Sequence, residues 1–318
     1  MKAMKAKSIP YLLVFFLSLL VSACIKVMPD PTDPTAGEST YSEAIDRGEL
    51  ENTRLLEASG IAASRKNPGY FWVTNDSDVQ GPMLYLIDSL GKGKKEYMLQ
   101  GATQRDWEDI AVVGEADGSA TVYVADIGDN FQDNTKYTIY WFKDLKITSN
   151  SYTVLTDIKK ITFQLPDGFR DMETILVDQQ SKDIFLISKR ENNKRLYKIA
   201  AAKVVNGANL TAEYVQDLSF SVPFTNDAKI QQAYYITGGS ISPDNSEILI
   251  RNYIGIYYWK RKTGESIPAA LLRSAKAVPY KLEPQGEGVS FAHDGSGYYT
   301  VSESTDNTQP RLYYYRKK

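Results

Sequence analysis

Residues 107–126 read WEDIAVVGEADGSATVYVAD, and two apolar segments flank the turn Ala116-Asp117-Gly118-Ser119. Strands favour β-branched and aromatic residues, while Asp and Gly supply the side-chain caps and positive φ of a tight turn. The stretch therefore predicts a β-hairpin. Four more hairpins of the same design recur along the chain, with turns at residues 66–69, 180–183, 243–246 and 293–296.

A third strand follows each hairpin and carries a tyrosine at a constant place. These residues are Tyr85, Tyr140, Tyr197, Tyr257 and Tyr313. Four units continue into a fourth, more polar strand, at residues 95–100, 160–165, 214–220 and 278–282. Repeated units of four antiparallel strands are the pattern of a β-propeller.

The fold class predicted from this repeat is all-β, a five-bladed propeller whose last sheet is closed by an N-terminal strand at residues 53–56. Residues 225–235 have no clear pattern, so six blades stay open. The wide spacings in the repeat are expected to hold loops, such as residues 206–210. A two-sheet sandwich of unrelated strands is the alternative fold.

The N-terminus carries Lys2, Lys5 and Lys7 before an apolar run at residues 11–21, which is too short for a membrane span. The run ends in Val21-Ser22-Ala23-Cys24, which looks like a bacterial lipobox with the only cysteine of the chain as the acylated residue. The alternative is an ordinary signal peptide with a chance cysteine.

The domain boundaries predicted from these features are a lipoprotein signal peptide at 1–23, a lipidated Cys24 with a flexible tether at 24–50, and a propeller at 51–318. Ile25 stands where an aspartate would resemble an inner-membrane retention signal. We therefore expect a palmitoylated lipoprotein of the cell envelope, anchored to the outer membrane. Whether it faces the periplasm or the exterior stays open.

Composition excludes several classes of function. The chain has 37 basic and 39 acidic side chains and no long basic run, so no nucleic acid partner is expected. One cysteine and one histidine argue against internal disulfides and against metal sites built from these residues. A Ser-His-Asp triad would need His293, which lies in a predicted turn.

Strand order in a propeller brings the segment before each first strand to the same rim as the end of each second strand. These two sets hold much of the charge of the chain. The candidates for ligand binding are Lys189, Arg190, Arg251, Asn252 and Glu303, and the acidic candidates for metal binding include Glu57, Glu108, Asp126, Glu173 and Glu287.

Crowded carboxylates raise the free energy unless something compensates their charge. Three compensations stay open: internal pairing with Lys189, Arg190 and Arg251; a hard cation such as Ca²⁺, which prefers oxygen ligands; or an anionic or sugar ligand held by the same basic residues. These three compensations can occur together.

The motifs Glu57-Ala58-Ser59-Gly60-Ile61, Asp106-Trp107-Glu108-Asp109-Ile110 and residues 122–130 resemble those of bacterial secreted or lipidated propellers. These are similar to gluconolactonase-like, phytase-like and NHL-repeat propellers. The resemblance implies a metal on the central axis, held by Glu, Asn and Asp from different blades. Glu57 would match the leading glutamate, with Asn75, Asp126 and Asn130 as counterparts. Those families are typically six-bladed, unlike the five counted here.

We expect a recognition module that binds an unknown ligand or envelope protein through the charged rim at its axis, because no complete catalytic set can be assembled. The alternative is a Ca²⁺-dependent hydrolase of a lactone or phosphoester. Ca²⁺ is the only cofactor predicted.

Overall fold

The computed structural model of the protein describes residues 40–77, 81–220, 226–305 and 308–318. Its strands form five sheets of four or five strands each. The innermost strands of neighbouring sheets contact one another in a closed ring, which is the arrangement of a β-propeller. The predicted fold class is confirmed, with five blades.

The blades take their strands from the chain nearly in order. Blade 1 contains β2 (Ala58–Ala63), β3 (Tyr70–Asn75), β4 (Met83–Asp88), β5 (Lys95–Leu99) and β9 (Tyr152–Leu155). Blade 2 contains β6 (Trp107–Gly114), β7 (Ala120–Asp126), β8 (Tyr137–Lys143), β10 (Lys159–Gln164) and β14 (Asn209–Thr211).

The remaining blades have four strands each. Blade 3 contains β11 (Met172–Val177), β12 (Ile184–Ser188), β13 (Asn193–Ile199) and β15 (Glu213–Ser219). Blade 4 contains β16 (Ile236–Ile241), β17 (Glu247–Asn252), β18 (Gly255–Lys260) and β19 (Lys276–Val278). Blade 5 contains β20 (Gly286–Phe291), β21 (Gly297–Ser302), β22 (Arg311–Arg316) and β1 (Ile45–Glu49).

The ring is closed by β1, which pairs antiparallel with β22 from Ile45 opposite Tyr314 to Glu49 opposite Arg311. The closing strand predicted at residues 53–56 is wrong, because that segment forms a turn leading into β2. Leu55 is buried there, but it does not join a sheet. Described residues upstream of residue 51 also contact blade 5, since Tyr41 forms a β-bridge with Lys317.

Two short strands account for much of the irregular spacing in the repeat. Strands β9 and β14 each pair in parallel with the outer strand of the preceding blade. Strand β9 pairs with β5, and β14 pairs with β10. The loop predicted at residues 206–210 thus overlaps a strand. Residues 226–235 hold the helix α1 (Ala228–Ala233) rather than a sixth blade.

Helix is scarce in the described ranges. Besides α1 there are α2 (Ile267–Leu271) and a 3₁₀ turn at Ala201–Lys203. No helix of the described residues is long and apolar enough to cross a membrane.

The tyrosines of the third strands belong mainly to the core between blades. Tyr85, Tyr140 and Tyr197 are almost completely buried. They lie in hydrophobic clusters that also contain residues of the neighbouring blade. These flat side chains thus pack between adjacent sheets.

Each innermost strand contains a β-bulge at the same height. One residue in each of β2, β6, β11, β16 and β20 has no direct partner in the second strand, and these residues are Ser59, Glu108, Glu173, Thr237 and Glu287. A bulge re-aims the side chain of the extra residue. It lies near the start of the inner strand, at the face of the propeller that we call the site face.

The opposite face carries the turns between first and second strands, and we call it the turn face. Asp144, which follows β8 of blade 2, accepts hydrogen bonds from Arg65 N (2.7 Å), Lys66 N (3.0 Å) and Trp72 Nε1 (2.9 Å) of blade 1. It also accepts one from Ser64 Oγ at 3.0 Å. This buried carboxylate fixes the first turn of blade 1 against blade 2.

We expect Asp144→Ala to lower the free energy of unfolding by about 3 kcal/mol or more, because several buried donors lose their acceptor. The matched control is Asp157→Ala, whose side chain is 83% exposed, and which should change the free energy by no more than about 0.5 kcal/mol. Urea denaturation of both variants measures the difference. Equal effects would contradict the role of Asp144.

Candidate functional site

Three of the five bulge residues are glutamates, and they meet at the axis. Oxygen atoms of Glu108, Glu173 and Glu287 all lie within 4.8 Å of one another. The three side chains are only 2–4% exposed. Three blades thus each contribute one buried carboxylate to a common point.

A second tier comes from the residue that follows the second strand in four of the blades: Asp76, Lys189, Tyr253 and Glu303. The Lys189 ammonium donates to Glu173 Oε1, and Tyr253 Oη donates to Glu287 Oε1 at 3.2 Å. The Gln285 amide donates to Glu303 Oε2. This tier covers the three glutamates on the side of the site face.

A second group of three acids adjoins the first. Oxygen atoms of Asp76, Asp106 and Glu108 also lie within 4.8 Å of one another. Glu108 therefore belongs to both groups. We call the whole set the axial acid cluster: Asp76, Asp106, Glu108, Glu173, Glu287 and Glu303.

Burial makes several of these carboxylates hard to ionise. Desolvation, followed by repulsion from neighbouring acids, raises the pKa of Glu108 well above its usual range. Desolvation and the adjacent Asp106 raise the pKa of Asp76 to about 10, and burial beside Glu173 raises that of Glu303 to about 7. The cluster is poorly compensated by the protein itself.

One ammonium group contacts the cluster. Burial disfavours the charged form of Lys189, but attraction to Glu173 and other acids outweighs it and raises the pKa of Lys189. Lys189 therefore stays cationic. Its Nζ hydrogen bond reaches one oxygen of Glu173, and most of the acids have no hydrogen-bonded cation among the described residues.

Several oxygens of the cluster lack a donor. Within the ranges that the structure describes, the buried atoms Asp76 Oδ1, Glu173 Oε2 and Glu287 Oε2 accept no hydrogen bond from a donor group. Asp76 instead approaches Asp106 as a hydrogen-bonding neighbour, and Glu303 approaches Glu287. Because an ionised carboxylate is only an acceptor, such pairs need a shared proton or a cation.

Gly128 closes one side of the cluster with its backbone. A Cβ at this position would lie 2.0 Å from Glu108 Oε1 and 2.4 Å from Asp106 Oδ2. Only glycine lets the chain after β7 approach the two carboxylates this closely.

Arg190 and Arg251, candidates for an anion site, are engaged elsewhere. Arg190 Nη2 lies 2.5 Å from Asp171 Oδ2 and donates to Asn130 Oδ1 at 2.5 Å. Arg251 is fully buried and donates to Gly288 O (2.6 Å) and Glu283 Oε2 (3.2 Å). Each of the three cations thus has an acidic partner, but of the three only Lys189 pairs with a member of the axial acid cluster.

The candidates Asn75, Asp126 and Asn252 make local contacts. Asn75 Nδ2 donates to Arg54 O at 2.7 Å, and Asp126 Oδ1 accepts from Asp106 N at 3.1 Å. Asn252 Oδ1 accepts from the Ile254 amide within the turn before β18. These residues support the strand ends around the cluster.

Glu57 also lies outside the axial acid cluster. It is exposed and accepts hydrogen bonds from Ser77, with Ser77 Oγ at 2.6 Å. Of the sequence candidates, the structure brings Glu108, Glu173, Glu287, Glu303 and Lys189 together.

The sequence candidates omitted Asp76, Asp106 and Tyr253. Asp76 and Tyr253 follow the end of the second strand, at the same repeat position as Lys189 and Glu303. An alignment of the five units at that position would have found both. Asp78, which belongs to the same charged run as Asp76, lies outside the described residues.

Comparison with known proteins assigns the chain to no family. No protein-family model and no curated protein matches the chain. Among solved structures it is similar to a luciferin-regenerating enzyme, with a TM-score of 0.46 and 9% identity over 84% of this chain and 94% of that one. It is also similar to hydrazine synthase of Kuenenia stuttgartiensis, with a TM-score of 0.42 and 12% identity over 83% of this chain and 98% of that one.

The raised pKa of Glu303 predicts a pH dependence. Between its ordinary value of 4.5 and about 7, the folded protein retains a proton that the unfolded chain releases. Stability without added cation therefore falls as pH rises through this window. Glu303 should account for about 3 kcal/mol of the fall, at about 1.4 kcal/mol per pKa unit.

Glu303→Gln should remove that part of the decrease. Chemical denaturation in the presence of chelator at pH 4.5 and pH 7 measures it. The same decrease in the variant as in the natural protein would show that Glu303 titrates normally.

Proposed function

We propose that the protein is a cell-envelope lipoprotein whose propeller binds a divalent cation, Ca²⁺ in the first instance, at the axial acid cluster. The observation that carries the proposal is the approach of Glu108, Glu173 and Glu287 to within 4.8 Å, with buried oxygens that accept no hydrogen bond from donors among the described residues. A cation would supply the missing partner and compensate the repulsion.

The chemistry of the cluster favours a hard cation. Its side chains offer carboxylate oxygens, which suit Ca²⁺, Mg²⁺ or Mn²⁺ rather than a soft metal. Lys189 would hold one oxygen of Glu173 in place while the second oxygen faces the cation.

An anionic ligand bound by the protein alone is less well supported. Arg190 and Arg251 are already paired with Asp171 and Glu283. A bound cation would offer a coordination position through which a ligand or an envelope protein could bind from the site face. Recognition through the charged rim would then depend on the cation.

One observation favours hydrolysis as a second candidate function. Glu303 lies beside Glu287 and has a pKa raised to about 7, which suits a general base near a metal-bound water. Ca²⁺-dependent turnover of a lactone or phosphomonoester, lost in Glu303→Gln while the cation still binds, would support it. If no substrate in such a screen is hydrolysed, cation binding remains the only proposed function.

The lipid anchor is proposed from Cys24 and the lipobox-like sequence before it, which lie outside the described residues. The described chain starts at the turn face, where Tyr41 bridges Lys317 and the Lys317 amide donates to Ser296 O of the β20–β21 turn. A tether would thus join the propeller at the turn face.

Ca²⁺ should raise the melting temperature of chelator-treated protein, because a ligand that binds the native state alone stabilises it by mass action. At a thousandfold excess over the dissociation constant the gain is about 4 kcal/mol. Glu173→Gln should abolish the shift. Glu57→Gln, at an exposed site outside the cluster, is the control and should keep it. No shift with Ca²⁺, Mg²⁺ or Mn²⁺ would contradict the proposal.

Cys24→Ser should move the protein from the membrane fraction to the soluble fraction, because the acylated thiol would be lost. Fractionation of cells and immunoblotting measure the change, and Ser22→Ala, which keeps a small residue in the motif, is the control. Retention of Cys24→Ser in membranes would contradict lipid anchoring.

A further inference from the structure

We propose that the axial acid cluster holds two cations, bridged by the Glu108 carboxylate. This inference rests on the proposed function and goes beyond it in number and geometry. Asp76, Asp106 and Glu108 form one group of oxygens within 4.8 Å, and Glu108, Glu173 and Glu287 form another. A single carboxylate belongs to both.

Each group contains an oxygen that points to a missing ligand. In the group of Glu173 and Glu287, side chains only 2% and 4% exposed leave both Oε2 atoms without a donor among the described residues. In the other group, the buried Asp76 Oδ1 likewise meets no donor in the described part of the chain. A single cation bound by Glu108, Glu173 and Glu287 would leave Asp76 Oδ1 without a partner.

The protein's own cations serve the two groups unequally. Lys189 contacts Glu173, in the first group. The second group has Arg105, but its Nη1 lies 3.9 Å from Asp106 Oδ2 and is hydrogen-bonded to Gly128 O. Arg105 Nη2 lies closer to Asp126, at 3.5 Å. Asp76 and Asp106 therefore approach each other without a close counter-charge from the described part of the chain.

Two divalent ions fit this arrangement in charge and in geometry. Together with Lys189 they nearly balance six carboxylates, whereas one ion leaves several negative charges buried. A bridging carboxylate commonly holds two metal ions about 3.5–4 Å apart. Each ion here would receive oxygens from three side chains, with water completing its coordination.

Gly128 makes the second position testable without removing a carboxylate. Its Cα borders Glu108 and Asp106, and an added Cβ would lie within 2.4 Å of both side chains. Gly128→Ala should therefore wedge these carboxylates apart and affect the second cation first. Glu173 and Glu287 would keep their positions on the other blades.

The test uses Mn²⁺ as the probe, with the full-length chain after chelator treatment. Calorimetric titration should give two Mn²⁺ per chain, and electron paramagnetic resonance should show a spin-coupled pair. Asp76→Asn should lower the number to one and give an uncoupled spectrum. Glu57→Gln, the control, should retain two. Should Asp76→Asn fail to fold, Gly128→Ala takes its place.

The outcomes separate the two proposals. One Mn²⁺ per chain, unchanged in Asp76→Asn, would overturn the second cation and leave the proposed function standing. Two Mn²⁺ without spin coupling would overturn the Glu108 bridge. No Mn²⁺ binding, together with no Ca²⁺ or Mg²⁺ binding, would overturn the proposed function and this inference with it.

Discussion

The β-bulge at the start of each innermost strand is the constraint on which the site depends. It places one unpaired residue from every blade at the same height around the axis. Short side chains there bond to the next blade: Ser59 Oγ donates to Trp107 O at 2.7 Å, and Thr237 Oγ1 donates to Gly286 O at 3.1 Å. Glutamate is longer and reaches the axis, so residue type at one repeat position determines which blades supply carboxylates.

The burial of acidic side chains at the axis opposes folding, and hydrogen bonds between blades offset this unfavourable free energy. Asp109, next to the bulge of β6, accepts hydrogen bonds from Ile110 N (2.8 Å) and Ile175 N (3.0 Å), which joins blade 2 to blade 3. At the turn face, Arg65 donates across the channel to Gln179 Oε1 at 3.1 Å and to Pro243 O and His293 O at 3.4 Å. The turn face is therefore fixed, while uncompensated charge collects at the site face.

The sequence predicts the repeat well because hairpin turns and apolar strands are local signals. It places Glu108, Glu173 and Glu287 on one rim, since strand order in a propeller fixes which segments meet. It misplaces the closing strand, because β1 has a weak apolar pattern and its partner, β22, is more than 260 residues away. The parallel pairing of β9 and β14 with preceding blades is also non-local, since the paired residues are 56 and 47 positions apart.

The sequence alone could not distinguish the members of the axial acid cluster from other charged residues near them. Tyr253 follows the end of its second strand as Lys189 does, whereas Asn252 lies one residue earlier and Arg251 two residues earlier. Because side chains alternate along a strand, one residue decides between the blade interior and the axis. Arg251 lies within β17, where it is fully buried and donates a hydrogen bond to Gly288 O of blade 5.

The most direct measurement is a crystal structure from crystals grown with Mn²⁺, with diffraction data collected near the manganese absorption edge. We expect anomalous density on the axis, between the carboxylates of Glu108, Glu173 and Glu287, with Lys189 still bound to Glu173. An axis without anomalous density, in which the Lys189 ammonium and shared protons alone hold the three carboxylates together, would contradict the assignment of this site to a cation.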